Sequence, residues 1–139
     1  EASYPNSVRF IEKFDPDIAQ RIYAGSDMFL MPSAFEPCVL GQMIAMRYGT
    51  LPIVRRTGGL ADTVFEGVNG FVFESKSSEE LILATGRAIK SFEEKAQWET
   101  LVARAMEIDH SWTKSAETYE SLYVKALDLR RAQPIAATG

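Results

Sequence analysis

Cysteine and histidine are scarce in this sequence, and their scarcity excludes several kinds of site. Each occurs once in 139 residues, as Cys38 and His110. A single cysteine cannot form an internal disulfide, and this usage fits a reducing compartment. The two residues lie far apart in the chain, which argues against a Cys–His nucleophilic pair, and no cluster of metal ligands is visible. We therefore expect no metal and no cofactor.

Excess positive charge and long apolar runs are also lacking. The formal net charge is −4, which makes nucleic acid and anionic membrane surfaces poor candidates for partners. No apolar run is long enough to cross a membrane, and residues 1–5 do not have the pattern of a signal peptide. The chain starts without methionine and reaches strand-like residues by Val8, so we expect a fragment of a longer protein.

Short apolar runs alternate with amphipathic stretches along the first half of the chain. This alternation predicts an α/β fold, a partial Rossmann-like doubly wound parallel sheet, followed by C-terminal helices. We expect residues 1–132 to form one domain and residues 133–139 a frayed tail. Strands are predicted at 7–13, 27–31, 51–54 and 71–73, and helices at 15–25, 38–48 and 94–109 and from 78 and 111 onward.

Local signals support several of these elements. Asp15 followed by Pro16 is a typical helix start, and Gly49 ends the second helix. The runs at 27–31 and 51–54 are almost wholly apolar, as in strands buried on both faces. The residues predicted to face inward from the helices are Val39, Leu40, Met43, Ile44 and Arg47; Leu81, Ile82, Thr85, Ala88, Ile89 and Phe92; Trp98, Leu101, Val102, Ala105 and Met106; and Tyr119, Leu122, Tyr123, Ala126 and Leu127.

Ligands of parallel α/β sheets bind beyond the carboxyl ends of the strands. This rule selects three loops, at 13–15, 32–38 and 55–59. The second loop leads into a helix, where the free amides of Val39, Leu40 and Gly41 and the helix dipole would favour a phosphate. The pattern predicts a phosphate site there, with Cys38 as a buried, unreactive thiol.

Glu36 stands immediately before these amides. Its carboxylate could hydrogen-bond sugar hydroxyls or stabilise positive charge developing on an anomeric carbon. An acid near a helix start is also favoured by the helix dipole alone. The residues by themselves leave the two interpretations equally supported.

The third loop contains two arginines and two glycines. Arg55 and Arg56 follow a strand, so one of them is a candidate to face an anionic phosphate while the other is solvated. The alternative, which is favoured for either arginine taken singly, is that both are ordinary surface residues. The run from Thr57 to Gly59 allows the backbone to pass close either to a ligand or to a neighbouring helix. Residues 60–64 remain ambiguous in secondary structure.

Three short motifs stand out: FEPC at residues 35–38, RYGT at 47–50 and RTGGL at 56–60. Together with RIYAGSD at 21–27 and GFVFE at 70–74, they resemble bacterial glycogen synthases and plant starch synthases over about residues 10–127. The resemblance implies a GT-B fold, in which two Rossmann-like domains face each other across a cleft. This chain would be part of the C-terminal domain, in the cytoplasm of a bacterium or the plastid of a plant.

The resemblance also implies a reaction and a set of site residues. Glucose would be transferred from ADP-glucose to an α-1,4-glucan, with retention at the anomeric carbon and without a metal. Glu36 matches the family's active-site glutamate, which contacts the donor glucose. The substrate-binding residues implied are Phe14 on the adenine, Cys38, Val39, Leu40 and Gly41 on glucose hydroxyls and the distal phosphate, and in addition Ser33 and Thr57.

The sequence departs from the family at three of these positions. Val39 stands where Gly is common, Gly41 where Thr is common, and Phe14 where Tyr is common. The family's phosphate-binding Arg and Lys and its N-terminal domain would precede residue 1, so we expect the chain alone to be inactive. Its partner would be that missing domain, and the sheet edge left exposed could pair with a second copy.

Two other classes of protein fit the sequence less well. A stand-alone flavodoxin-like binding or signalling module would fit the fold, but a phospho-receiver needs clustered acids after its first strand, and Asp15 and Asp62 do not form that cluster. A glycoside hydrolase needs two opposed carboxylates, and only Glu36 is suitably placed.

Overall fold

The computed structural model describes residues 3–37 and 39–132. The chain divides into two compact units, Glu1–Met106 and Glu107–Gly139. The predicted tail at 133–139 lies outside the described residues, and the assignment of 1–132 to one domain stays a prediction. The elements are α1 (Pro16–Gly25), β1 (Met28–Met31), α2 (Gly41–Arg47), β2 (Leu51–Arg55), α3 (Gly58–Thr63), β3 (Phe71–Phe73), α4 (Ser78–Glu93), α5 (Lys95–Glu107) and α6 (Trp112–Ala132).

A parallel sheet of three strands, in the order β1-β2-β3, forms the centre of the first unit. Its middle strand, β2, is buried from Leu51 to Val54 because strands pair with it on both sides and helices pack against it. This arrangement confirms the predicted α/β class with a partial Rossmann-like sheet. Because all three strands run the same way, their carboxyl ends share one edge of the sheet.

The start of α1 follows the local signal. The Asp15 side chain accepts a hydrogen bond of 3.2 Å from the Ile18 amide, and Pro16 occupies the first turn. The hydrogen bond from the Lys13 ammonium and the one from the Ile18 amide hold the pKa of Asp15 below its usual value. The predicted helix start is therefore confirmed.

The strand predicted at 7–13 is wrong. The segment forms no strand, and the side chains of Val8, Phe10 and Ile11 are 41%, 72% and 51% exposed. Apolar alternation specifies a strand only where a neighbouring strand supplies ladder hydrogen bonds, and the three-stranded sheet does not extend to this segment.

Strand β1 was predicted to be buried on both faces, but it is only partly buried. Leu30 is 49% exposed, and Met28, Phe29 and Met31 are half-buried. The physical reason is its position at the edge of the sheet, where helices cover less of each face. An apolar run therefore identified the strand correctly and its burial incorrectly.

Helix α2 begins three residues later than predicted and buries a different face. It starts at Gly41, and its buried residues are Gln42, Ala45 and Met46, whereas Ile44 is 39% exposed. Small and polar residues give little hydrophobic signal, so the apolar stripe pointed to the wrong side of the helix. Its end is as predicted, because Gly49 adopts a φ of 82° immediately after it.

Among the helices after the sheet, some of the residues predicted to face inward are buried and others are exposed. Helix α4 begins at Ser78 as predicted, with Ser77 as its N-cap, but it buries Ala84, Ala88 and Ser91, whereas Ile82 and Ile89 are exposed. In α5 the predicted Trp98, Leu101 and Ala105 are buried, and the Trp98 ring stacks on Phe71 with their centroids 6.4 Å apart.

The described part of the second unit, residues 107–132, contains α6, which buries none of its residues. No helix in the described ranges combines the length and the apolar character that a membrane crossing requires.

Candidate active site

Two of the three predicted loops meet at the carboxyl edge of the sheet. The loop after β1 and the residues after β2 are joined by a hydrogen bond of 3.1 Å from the Gly59 amide to the Glu36 carbonyl. This contact follows from the parallel pairing of β1 and β2, which places both strand ends side by side. The sequence motif FEPC and the motif RTGGL are therefore neighbours in space.

Glu36 is half-buried within this meeting point, and its carboxylate has a defined partner. The Ser33 hydroxyl donates a hydrogen bond of 3.2 Å to Glu36 Oε2. Its backbone carbonyl is held from the other side by Gly59, so both ends of the residue are fixed. The other carboxylate oxygen is the atom that can face a ligand.

Gly58 is a steric requirement of this contact. Gly58 has a φ of 46°, and a Cβ placed on it would lie 1.8 Å from the Glu36 carbonyl oxygen. No side chain fits in that space, so the backbone of α3 can approach Glu36 only through glycine. The glycines of RTGGL thus position Glu36, whereas the sequence left open whether they approach a ligand or a neighbouring helix.

Arg55 and Arg56 both bind protein groups at this edge. The Arg55 guanidinium donates to the Ser33 carbonyl at 3.0 Å, to the Ala34 carbonyl, and to the Glu74 carbonyl at 3.4 Å. The Arg56 Nε donates to the Glu74 carboxylate at 2.6 Å. Both arginines therefore have protein partners at the carboxyl ends of the strands, and the contact of one of them with a phosphate stays a prediction.

The segment before α2 is less regular than expected. The helix starts at Gly41 with Leu40 as its N-cap, so the amides of Leu40 and Gly41 are among its free first-turn amides, whereas Val39 lies before the helix. Val39 packs against the core cluster of Val54, Leu60, Val64 and Val72. Its branched side chain therefore enters the core, which explains how this loop accommodates Val where the family commonly has Gly. Cys38 lies outside the described residues.

The remaining predicted residues fall in two places. Thr57 caps α3 without a side-chain hydrogen bond to that helix, and it is half-buried close to the glycine pair. Phe14 is 94% exposed and lines a separate groove of about 540 Å³ with Tyr23, Ile44 and Tyr48. None of the residues lining that groove belongs to the loop at 32–40. The structure thus brings Ser33, Glu36 and Thr57 to one edge and leaves Phe14 beside another groove.

Gly41 is not needed for packing. A Cβ at this position would lie 3.4 Å from the Phe29 ring and from the Tyr23 hydroxyl, which is ordinary van der Waals distance. A single methyl group therefore fits beside the first turn of α2, in contact with Phe29 and Tyr23.

Comparison with known proteins identifies the class of protein. Residues 1–101 match the family of glycosyl transferases group 1, and the chain belongs to that family. This membership favours a transferase over a flavodoxin-like signalling module.

Glycogen synthases are among the particular proteins to which this chain is similar. The glycogen synthase of Geotalea uraniireducens is 52% identical over 120 residues, which are 82% of this chain and 25% of that protein. The glycogen synthase of Kosmotoga olearia is 52% identical over 135 residues, 92% of this chain and 28% of that protein. The chain spans about a quarter of the length of these relatives.

Solved structures confirm the predicted fold. The catalytic domain of starch synthase IV from Arabidopsis thaliana, bound to ADP and acarbose, superposes with a TM-score of 0.81 at 41% identity. The match covers 91% of this chain and 28% of that one. Sucrose-phosphate synthase from Thermosynechococcus elongatus has a TM-score of 0.70 at 24% identity, and it supports the fold alone.

Proposed function

We propose that this chain is the part of a retaining glucosyltransferase that holds the nucleotide-sugar donor, with ADP-glucose as donor and the end of an α-1,4-glucan as acceptor. The observation that carries the proposal is the placement of Glu36 at the carboxyl ends of the parallel strands: its carboxylate accepts from the Ser33 hydroxyl, and its backbone carbonyl accepts from the Gly59 amide. The similarity to glycogen synthases and to a starch synthase bound to ADP and acarbose supports the same donor and acceptor.

In this proposal Glu36 acts on the sugar. As the diphosphate leaves, positive charge grows on the anomeric carbon and the ring oxygen. A preorganised carboxylate attracts that charge more strongly in the transition state than in the bound substrate, and only this difference accelerates the reaction. The proposed chemistry uses side chains and backbone amides and requires no metal or cofactor.

The other site residues bind the donor in this proposal. Backbone amides around Val39, Leu40 and Gly41 face the distal phosphate and the glucose hydroxyls, together with Cys38. In the same proposal the Thr57 hydroxyl contacts the donor, and Ser33 orients Glu36 through its hydrogen bond to the carboxylate. Phe14 offers its exposed ring to the adenine, which requires that the donor extend toward the groove beside α1.

The proposal also includes partners and location. In this proposal an N-terminal domain helps to bind the acceptor. The relatives are long enough to contain such a domain, since this chain matches only about a quarter of their length. The cytoplasm of a bacterium or the plastid of a plant is the proposed location.

The chain alone should bind donor weakly and transfer nothing. In NMR titrations of the ¹⁵N-labelled chain with ADP-glucose, we expect shifts at the amides of Glu36, residues 39–41 and Thr57, with a dissociation constant on the order of 1 mM. Radiolabelled transfer to a glucan primer should stay at background. UDP-glucose, which differs from ADP-glucose only in its base, is the comparison ligand. Shifts confined to other amides, or turnover at the rate of an intact synthase, would contradict the proposal.

Self-association is expected through only one edge of the sheet. At the edge of β3, the Val72 amide donates to Glu66 Oε2 at 2.5 Å and the Val72 carbonyl accepts from Arg87 at 2.7 Å. Glu66 and Arg87 also pair with each other at 2.7 Å, so this edge is closed to another strand. At the opposite edge, no strand of the described sheet lies beyond β1.

In a dimer, β1 of one copy would therefore pair with β1 of the other copy. We expect sedimentation to show a concentration-dependent dimer, which Leu30→Lys abolishes because a charge on an edge strand opposes strand addition. Leu83→Lys is the matched control, since Leu83 is an exposed leucine of α4, away from the sheet edge. A dimer that Leu83→Lys removes and Leu30→Lys retains would place the interface elsewhere.

A further inference from the structure

We propose that Arg55 is a positioning residue for the donor site: its guanidinium holds the loop 32–37 in the shape that presents Glu36, and it is not a ligand of the donor phosphates. This inference rests on the proposed role of Glu36. It assigns a task to a residue that the sequence offered only as a possible phosphate contact.

The contacts of Arg55 converge on backbone carbonyls of two loops. Its Nε donates to Ser33 at 3.0 Å, one terminal nitrogen donates to Ala34, and the other donates to Glu74 at 3.4 Å. The loop carbonyls lie beyond the end of β1, where no strand partner supplies an amide donor. Ser33 is half-buried, so its carbonyl needs a donor; Arg55 supplies that donor and a second one to the carbonyl of the neighbouring, exposed Ala34.

Arginine is the side chain that can perform this task. Its planar guanidinium carries five N–H groups in a fixed fork, and it can therefore satisfy several acceptors that lie in one plane. A lysine ammonium at the same position is a compact point charge on a flexible stem, and it would not hold three carbonyls in a defined geometry. Position 55 is the last residue of β2, so the fork is anchored on the middle strand of the sheet.

Ser33 connects Arg55 with Glu36. The Ser33 carbonyl accepts from Arg55, while its hydroxyl donates to Glu36 Oε2 at 3.2 Å. Releasing the carbonyl would free Ser33 to rotate and would remove the hydrogen bond that orients the carboxylate. The contact from Gly59 to the Glu36 carbonyl does not involve Arg55, so the loop would become mobile without the sheet coming apart.

The neighbouring arginine provides a matched control. Arg56 carries the same charge one residue later, its side chain is 41% exposed, and its partner is the Glu74 carboxylate at 2.6 Å. It does not contact the loop 32–37 in any described hydrogen bond or ion pair. A substitution at Arg56 removes one positive charge from the same edge and leaves the carbonyl contacts of Arg55 in place.

The test measures backbone order in the ¹⁵N-labelled chain without any ligand. In Arg55→Ala, we expect the order parameters of residues 34–36 to fall from about 0.85 to below about 0.6, while those of Ile53, Val54 and Val72 stay unchanged. Arg56→Ala should leave every one of these values as in the wild type. Arg55→Lys should show the same loss as Arg55→Ala, because it keeps the charge and removes the fork.

Three results would overturn the inference. One is an unchanged order of residues 34–36 in Arg55→Ala. Another is a simultaneous loss of order in β2, which would make Arg55 a stabiliser of the whole sheet; the third is full order in Arg55→Lys, which would show that charge alone suffices. These readouts need no donor, so they remain decisive even if ADP-glucose proves not to bind.

A titration with ADP completes the experiment. A positioning role predicts that Arg55→Ala changes the dissociation constant of ADP by less than about twofold, whereas loss of a direct charged phosphate contact would weaken it about tenfold or more. A loss of the larger size, with the loop still ordered, would make Arg55 a phosphate ligand and contradict the inference. Absence of any ADP binding by the wild type would count against the proposed function and not against the role of Arg55 in the loop.

Discussion

Replacing Glu36 with glutamine should lower kcat by about 10²–10³, which corresponds to about 3–4 kcal/mol of lost transition-state stabilisation. Gln keeps the shape and most of the hydrogen-bonding reach of Glu, but it removes the negative charge. Since the attraction to the anomeric carbon exists mainly in the transition state, donor KM should change far less than kcat. The assay is steady-state kinetics in a full-length glycogen synthase whose matching segment is replaced by this chain.

The competing explanation of Glu36 is structural, and a second glutamate controls for it. Glu79 is an exposed acid in the first turn of α4, so Glu79→Gln removes a charge that interacts with a helix dipole and nothing else described. We expect Glu79→Gln to leave kcat unchanged and to cost about 1 kcal/mol of stability or less. If Glu36→Gln behaved in the same way, with normal kcat and a lower melting temperature, Glu36 would be a helix-start acid and not a catalytic residue.

Local chemistry made part of the fold predictable. The Asp15–Pro16 helix start and the glycine after α2 depend on residues adjacent in sequence, and both were found as expected. The buried run of β2 was equally readable, because a strand covered on both faces needs apolar side chains throughout. These features required no knowledge of distant contacts.

Non-local pairing made the rest unpredictable. The segment 7–13 has strand-like alternation, but a strand exists only with a neighbour, and the sequence does not show whether one is present. The buried face of α2 includes Gln42, whose amide nitrogen donates to Thr63 at 3.0 Å, and no hydrophobic scale would have marked it. Both errors come from contacts between segments far apart in the chain.

The candidate site shows the same division. The FEPC and RTGGL motifs follow two neighbouring parallel strands, so they meet at the carboxyl ends of those strands. The proximity of Glu36 and Gly59 could therefore be inferred from the strand order. The partners of Arg55 could not, because they are backbone carbonyls 21 and 22 residues earlier, and carbonyls have no signature in a sequence. An arginine at the last position of a buried strand is the one available signal, since it can reach the loop of the adjacent strand.

Gly58→Ala should be the most disruptive single-methyl change at this site. Alanine substitutions at two other glycines, Gly86 and Gly67, separate the effect of backbone strain from that of the steric clash. Gly86 lies inside α4 with open space around it, so Gly86→Ala should stabilise the fold by about 0.5–1 kcal/mol. Gly67 has a φ of 66° and no atom within 4 Å of an added Cβ, so Gly67→Ala should cost only the left-handed backbone strain, about 1–2 kcal/mol.

Gly58 combines a φ of 46° with a Cβ that would lie 1.8 Å from the Glu36 carbonyl oxygen, so its substitution must also push the two loops apart. In urea unfolding, we expect Gly58→Ala to lower the free energy of unfolding by about 3 kcal/mol or more in total, which is a larger loss than that of Gly67→Ala. Because the displaced atom belongs to Glu36, the full-length hybrid enzyme should also lose kcat about as severely as with Glu36→Gln, whereas Gly67→Ala should keep it. Equal costs at Gly58 and Gly67 with normal kcat would mean that the close approach of the RTGGL glycines to Glu36 does not determine the geometry of the site.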